Sequence, residues 1–133
     1  MRVPEHLSHK PIIAVDNYHK MDGIYNETDA KGLSIGRAQW KSDEFSAKVW
    51  RHKEDSGWSR QSEELPLHRV LDLAILILSV YNNNSSDEKI DTFLKEIVID
   101  EEGLNEVKDF LEENDEVFEE RITELKRLLQ DQR

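Results

Sequence analysis

The spacing of apolar residues changes near Ser62, and this change limits most strongly what the chain can fold into. Before it, residues 33–40 (LSIGRAQW) and 44–52 (EFSAKVWRH) alternate with period two, which is typical of half-buried β-strands. After it, residues 62–82 (SEELPLHRVLDLAILILSVYN) follow helical spacing up to a run of asparagines. This order of patterns predicts an α+β fold, in which an antiparallel sheet comes first and helices follow.

We expect the whole chain, residues 1–133, to form a single domain with three parts. An antiparallel β-meander occupies residues 11–61, the apolar helix at residues 62–82 packs on it, and residues 85–131 form C-terminal helices. A chain of this length buries roughly two thirds of the surface that its unfolded form exposes, so a core forms without disulfides or metals. The C-terminal part is also a candidate oligomerisation element.

Two local patterns refine the first two parts. Gly36 lies inside a predicted strand, where a glycine marks a bulge or the close approach of another backbone or a ligand. Glu63, Glu64 and Pro66 fall in the predicted first turn of the apolar helix. An acidic side chain there faces the positive end of the helix dipole, and a proline there removes no helical hydrogen bond.

The C-terminal part carries two helix patterns. Ser85 with Glu88 three residues later is a capping box, which predicts a helix over about residues 86–97. Apolar residues then recur at near-heptad spacing over residues 104–129, as in helices that pair along one apolar stripe. Asn114 lies in the one gap of this seam, so the pattern fits one long helix or two. We predict a homo-oligomer with the seam in its interface.

Composition excludes several classes of protein. The chain has no cysteine, which excludes disulfides, thiolate metal sites and cysteine nucleophiles. It has no signal-peptide pattern and no apolar run of membrane-spanning length, so we expect a cytoplasmic protein without a membrane partner. Residues 1–66 carry 10 Lys and Arg against 11 Asp and Glu, whereas residues 67–133 carry 8 against 18. The acidic second half makes duplex nucleic acid an unsuitable partner, and only the first half tolerates an anion.

Arginines and tryptophans of the strand region form the main candidate site. By alternation, Arg37 and Arg51 share a face with apolar residues, and a buried guanidinium needs a partner. That partner is either a carboxylate of the chain, such as Asp16 or Asp72, or an anion from outside; an arginine that reaches into water is the alternative. An aromatic ring beside a guanidinium is typical of sites that hold a nucleobase and its phosphate. The predicted ligand-binding residues are Arg37, Arg51, Arg60, Trp50, Trp58, His68 and Arg69.

These residues predict a non-catalytic binding protein for a small anionic, nucleotide-like ligand. His68 and Arg69 would complete the site, because the start of a helix offers free backbone N–H groups and positive potential. Trp50 and Trp58 fit ordinary core positions equally well.

The sequence predicts neither a cofactor nor a metal site. The glycines match no phosphate-loop or dinucleotide fingerprint. His6 and His9 lie in a terminal segment that we expect to be mobile, and no carboxylate lies at an obvious ligand spacing from His19 or His52.

Two other functions stay open. His68 and Asp72 lie four residues apart on the predicted helix, so a carboxylate could orient an imidazole in a small hydrolase. No nucleophile elbow of the G-x-S-x-G type accompanies them. Alternatively, the acidic C-terminal helices could form a protein–protein interaction or inhibitor module.

Three stretches carry a resemblance to known sequences: DAKGLSIGRAQW, SAKVWRH and WSRQSEELPLHRVLDLAILI. Together they resemble an uncharacterised bacterial domain family of unknown function over about residues 7–81. The resemblance implies no activity, cofactor or site residue. By analogy alone, phage-encoded sponges that sequester nucleotide messengers are also small, acidic and oligomeric, which favours a sequestering or regulatory role.

Overall fold

The chain has an α+β fold, as the change of spacing predicts. The computed structural model describes residues 1–59, 63–83 and 92–131. The chain divides into two compact units, Met1–Leu73 and Ala74–Arg133, with the boundary inside a helix. The first unit contains the sheet and the start of that helix, and the second contains its remainder and two further helices.

An antiparallel sheet forms the first unit, and the predicted meander is its centre. The strands are β1 (Lys10–Asp16), β2 (Ala30–Arg37), β3 (Phe45–Lys53), β4 (Gly57–Trp58) and β5 (Glu64–Pro66). They pair in the order β1-β2-β3-β4, while β5 pairs with the first part of β3. A short 3-10 turn at Tyr18–Lys20 lies between β1 and β2. The meander is predicted to extend to residue 61, but residues 60–62 lie outside the described residues.

The apolar helix begins later than the sequence predicts. Glu64, Leu65 and Pro66 form β5, and α1 runs over Leu67–Asn83. The predicted positions of Glu63, Glu64 and Pro66 in the first helical turn are therefore wrong. A proline lacks a backbone N–H and suits an edge strand as well as a helix start, so the sequence fits both structures. The structure has the short strand rather than the helix start, and pairing with β3 also directs the Glu64 carboxylate into a buried hydrogen-bonded cluster.

Two helices, not one, carry the near-heptad seam of the second unit. These are α2 (Glu101–Glu113) and α3 (Asp115–Gln130), separated at Asn114. The side chain of Asp100 caps α2 by accepting a hydrogen bond from the Gly103 N–H at 3.0 Å. None of the described helices combines the length and the apolarity needed to cross a bilayer.

The helix predicted over about residues 86–97 is wrong in its described part. Its capping box, Ser85 and Glu88, lies outside the described residues, and residues 92–97 form a turn and irregular chain. Lys95 has a φ of 53°, a left-handed conformation that a right-handed helix does not accommodate.

The sheet has one polar and one apolar face, and the polar face is the buried one. In register, Ser34 lies opposite Lys48, and Gly36 lies opposite Ser46. The polar face consists of Gly32, Ser34, Gly36, Ser46, Lys48, Trp50 and Glu64. The apolar face consists of Ile13, Val15, Leu33, Ile35, Ala47, Val49 and Leu65.

Glycines allow the chain to cover the polar face closely. A Cβ atom at Gly36 would lie 2.1 Å from the carbonyl oxygen of Lys10, and one at Gly32 would lie 2.4 Å from a methyl carbon of Val3. Strand β1 also carries an irregularity directly beside the residue that pairs with Gly36. The close approach that the sequence predicts at Gly36 is confirmed, and the approaching backbone is the start of β1.

Candidate ligand-binding site

Arg51 is held by carboxylates of the chain itself. Its Nη1 donates to Asp29 Oδ1 at 2.6 Å and its Nη2 donates to Glu63 Oε1 at 2.8 Å. The hydrogen bonds with Glu63 and Asp29 raise the pKa of Arg51, and the hydrogen bond from Arg51 lowers the pKa of Glu63. The predicted internal partner exists, but it is this pair of carboxylates rather than Asp16 or Asp72.

The other predicted cations do not gather around one point. The Arg37 guanidinium lies 5.7 Å from the centre of the Phe45 ring, and its side chain is exposed. His68 and Arg69 are exposed on the first turn of α1. Arg60 lies outside the described residues. In the part of the chain that the structure describes, no hydrogen bond, ion pair or ring contact joins these residues to a tryptophan.

Trp50 and Trp58 do come together. Their ring centres lie 5.9 Å apart in an edge-to-face arrangement, and the His52 ring lies 4.8 Å from that of Trp58. Trp50 is 0 % exposed, and its Nε1 donates to Ser34 Oγ at 2.9 Å. Trp50 is therefore a core residue that also forms a wall of the site described next.

His9 is the centre of a buried chain of hydrogen bonds. Ser34 Oγ lies 2.8 Å from Nε2, and Ser46 Oγ lies 2.9 Å from Nδ1. The Ser46 hydroxyl donates to Glu64 Oε2 at 2.7 Å, so its single proton is used and His9 Nδ1 must be the donor to Ser46. In a neutral imidazole Nε2 then accepts from Ser34, whose oxygen accepts from Trp50. Every link has one donor and one acceptor.

The pKa shifts of His9 and Glu64 agree with this chain of hydrogen bonds. Burial lowers the pKa of His9 and outweighs the attraction of Glu64, so the imidazole is neutral near pH 7. Burial raises the pKa of Glu64, but hydrogen bonds from the Gln39 backbone N–H, Ser46 and His9 together outweigh it. The pKa of Glu64 thus lies below its ordinary value, and its carboxylate is ionised.

Lys48 is a buried cation beside this carboxylate. Its side chain is 4 % exposed, and its Nζ lies 4.7 Å from the centre of the Trp50 ring and 3.9 Å from Glu64 Oε1. A separation of 3.9 Å is too long for a hydrogen bond, and Glu64 Oε1 has no hydrogen-bond partner. Burial lowers the pKa of Lys48 against the attraction of Glu64. The Lys48 ammonium and Glu64 Oε1 therefore face each other, and both can still form hydrogen bonds with a further group.

A cavity of about 150 Å³, which we call the polar cavity, opens at this pair. Its volume equals that of about five water molecules, whereas drug-sized ligands occupy roughly 300–1,000 Å³. The polar cavity thus accommodates a group of carboxylate or phosphate size rather than a whole nucleotide. It is lined by residues 6–9, Gln39, Lys48, Trp50, Ser59 and Glu64.

Two other depressions are less suited to an anion. A groove of about 920 Å³ around Arg51 is lined by four carboxylates against two cations. A second groove, of about 470 Å³, lies on the apolar face and includes Val70 of α1. The first repels an anion and the second is lined mainly by hydrocarbon, so the polar cavity suits a polar ligand better than either of them.

A metal site and a His68–Asp72 pair are the alternatives to ligand binding in the polar cavity. Among residues 1–59, 63–83 and 92–131, no group of three or more His, Asp and Glu side chains could hold a metal ion. His68 and Asp72, both within the described chain, share neither a hydrogen bond nor an ion pair.

The sequence interpretation did not select the three titratable residues of the polar cavity whose side chains are buried: His9, Lys48 and Glu64. One indication was available, because Gly32, Ser34 and Gly36 fall on one side of β2, and small residues on a strand face allow a neighbouring segment to approach closely.

Comparison with known proteins identifies a family without a described activity. Residues 1–96 match the model of a family of unknown function, DUF6530, and this match includes the sheet and α1 but not α2 and α3. No curated protein and no solved structure matches the chain. The resemblance predicted over about residues 7–81 is confirmed and extends further in both directions. The chain belongs to the DUF6530 family of unknown function.

Proposed function

We propose that the protein is a non-catalytic binding protein for a small ligand whose anionic group is held by Lys48 in the polar cavity. One observation carries this proposal: the Lys48 side chain is buried, its ammonium lies 3.9 Å from its nearest carboxylate oxygen, and this ammonium makes no hydrogen bond among the described residues. An ammonium on a buried side chain has three donors, and a lack of acceptors costs free energy. An anionic group in the polar cavity would supply the acceptors.

The size of the polar cavity sets the kind of ligand. A carboxylate or phosphate group fits, and the remainder of a larger molecule would extend beyond the polar cavity. The nucleotide-like ligand expected from the tryptophans stays a prediction, as do a sequestering or regulatory role and a cytoplasmic location.

The Trp50 indole N–H provides a direct readout, because its ring lies under Lys48. Its signal in a ¹H–¹⁵N correlation spectrum is followed while acetate, inorganic phosphate or glycine is added. We expect at least one of these probes to shift the signal in the wild type and not in Lys48→Met. Lys53→Met, in the same strand but exposed, should behave as the wild type.

The proposal is wrong if no probe moves the Trp50 signal, or if Lys48→Met responds as the wild type does. Circular dichroism establishes beforehand that both variants are folded.

A second function is favoured by the exposed seam of the C-terminal helices. Val107, Leu125 and Leu129 are exposed, whereas Leu111 is buried. We propose that the three exposed side chains join copies of the chain in a homo-oligomer. Sedimentation velocity should show concentration-dependent association that the double change Leu125→Glu and Leu129→Glu abolishes. A monomer at all concentrations would exclude this interface.

A further inference from the structure

Glu64 restricts what Lys48 can hold. The side chain of Glu64 is 2 % exposed, and its carboxylate lines the same cavity as Lys48. An ionised carboxylate only accepts hydrogen bonds, so its free Oε1 requires a donor. An anion alone would satisfy Lys48 but would add a second negative charge beside Glu64.

The two oxygens of Glu64 have different roles. Oε2 accepts from the Gln39 N–H at 3.0 Å and from Ser46 at 2.7 Å, and His9 Nδ1 lies 3.3 Å away. These contacts hold the carboxylate in place through groups of the fold. Oε1 takes part in none of them and lies 3.9 Å from Lys48 Nζ. One oxygen is therefore structural, and the other is left for a ligand.

We infer that the ligand of the polar cavity carries an α-amino-acid headgroup, with its carboxylate at Lys48 and its ammonium at Glu64. This inference rests on the proposed binding function and names the ligand class of the same site. In an α-amino acid one saturated carbon separates the two charges, which suits a lysine and a glutamate whose charged atoms lie 3.9 Å apart. Each of the two charged side chains then also forms a hydrogen bond with a ligand group of opposite charge.

Size supports the same class. Glycine has two carbons, one nitrogen and two oxygens, and a cavity of about 150 Å³ equals the volume of about five water molecules. Acetate lacks the ammonium and methylammonium lacks the carboxylate, so each leaves one of the two charged side chains without a hydrogen bond from the ligand.

The test is a titration of the intact protein with glycine, acetate and methylammonium, again followed by the Trp50 indole signal. We expect glycine to bind about tenfold more tightly than either single-charge probe, since one charge-assisted hydrogen bond corresponds to at least this factor. Glu64→Gln should weaken glycine binding by about tenfold and leave acetate binding equal or stronger. Glu54→Gln, in an exposed turn, is the matched control and should change neither.

The outcomes separate the two proposals. If glycine and acetate bind equally well in the wild type, the amino-acid headgroup is wrong while Lys48 remains an anion site. If no probe moves the signal, the binding function itself fails. If a crystal grown with glycine shows only water between Nζ and Oε1, the inference is also wrong. The wild-type comparison decides the matter even if Glu64→Gln does not fold.

Discussion

The polar face of the sheet is buried and the apolar face is partly exposed, which is the opposite of what the hydropathy of their residues would favour. The polar face is covered and holds the wholly buried Trp50, whereas on the apolar face Ile13 is 66 % and Ile35 is 44 % exposed. Glycines and serines on the polar face leave room for a close backbone, and each serine hydroxyl there finds a partner. The comparison teaches that a covering segment, together with hydrogen bonds for the serine hydroxyls, can bury a polar surface.

Removing one large side chain from each face is the strongest test of this difference. Trp50→Ala should lower the free energy of unfolding by about 3–5 kcal/mol, because it empties a core position. Ile35→Ala, on the apolar face, should cost about 1 kcal/mol or less, because its side chain is already half exposed. Urea denaturation measures both values. Equal losses would mean that the apolar face is covered in solution.

A methyl group at the closest contact of the polar face should have the next largest effect. Gly36→Ala places a Cβ 2.1 Å from the Lys10 carbonyl oxygen, so the backbone must move, and we expect a loss of about 3 kcal/mol. Gly57→Ala is the comparison. A Cβ atom at Gly57 would have no other atom within 4 Å, so only the φ of 72° opposes the change, and we expect a loss of stability of about 1 kcal/mol. Thermal unfolding distinguishes them, and an equal cost would contradict the close approach.

Breaking the hydrogen-bonded chain should have a smaller effect. Ser34→Ala leaves the Trp50 indole N–H and His9 Nε2 without a partner, which should cost about 1–3 kcal/mol. Ser42→Ala, in an exposed turn, should change the stability by about 0.5 kcal/mol at most. A harmless Ser34→Ala would show that the polar face does not depend on this link.

Acidification should produce the smallest and most gradual effect. Burial lowers the pKa of His9 in the folded state below the 6.5 of the unfolded chain, so below that pH the unfolded chain binds more protons. The free energy of unfolding should therefore fall as the pH drops below 6.5. Glu64, whose pKa is lowered from 4.5, should add a further loss only below that pH.

His9→Asn should flatten the first part of this pH dependence and leave the second. Denaturant unfolding at a series of pH values measures both parts, and an unchanged profile in the variant would mean that other groups cause it.

The sequence predicted the elements better than the surfaces they bury. Period-two alternation located β2 and β3 and showed which side chains share a face, but it contains no information on which face is covered. The cover comes partly from His9, which precedes β1 in a segment without any repeating pattern. For the same reason the alternation does not show whether Lys48 lies on a covered or an open face.

The candidate site was predicted only in part. Trp50 lines the polar cavity, and its predicted role in ligand binding stays a prediction, whereas Arg51 is paired within the chain. The carboxylates that pair with Arg51 come from segments outside β2 and β3, and alternation within a strand does not reveal them. The sequence predicts a helical position for Glu64 because an acidic residue two positions before a proline fits a helix start as well as a short strand.

The direct passage from β5 into α1 has a consequence for regulation. Pro66 ends the strand and Leu67 begins the helix, so no loop residue separates them, and Glu64 lies only three residues before the helix. We therefore expect a shift of the first turn of α1 to move the Glu64 carboxylate. The ligand binding that we propose at Glu64 would then be thermodynamically coupled to any process that displaces this turn, and each would change the equilibrium of the other by the same factor.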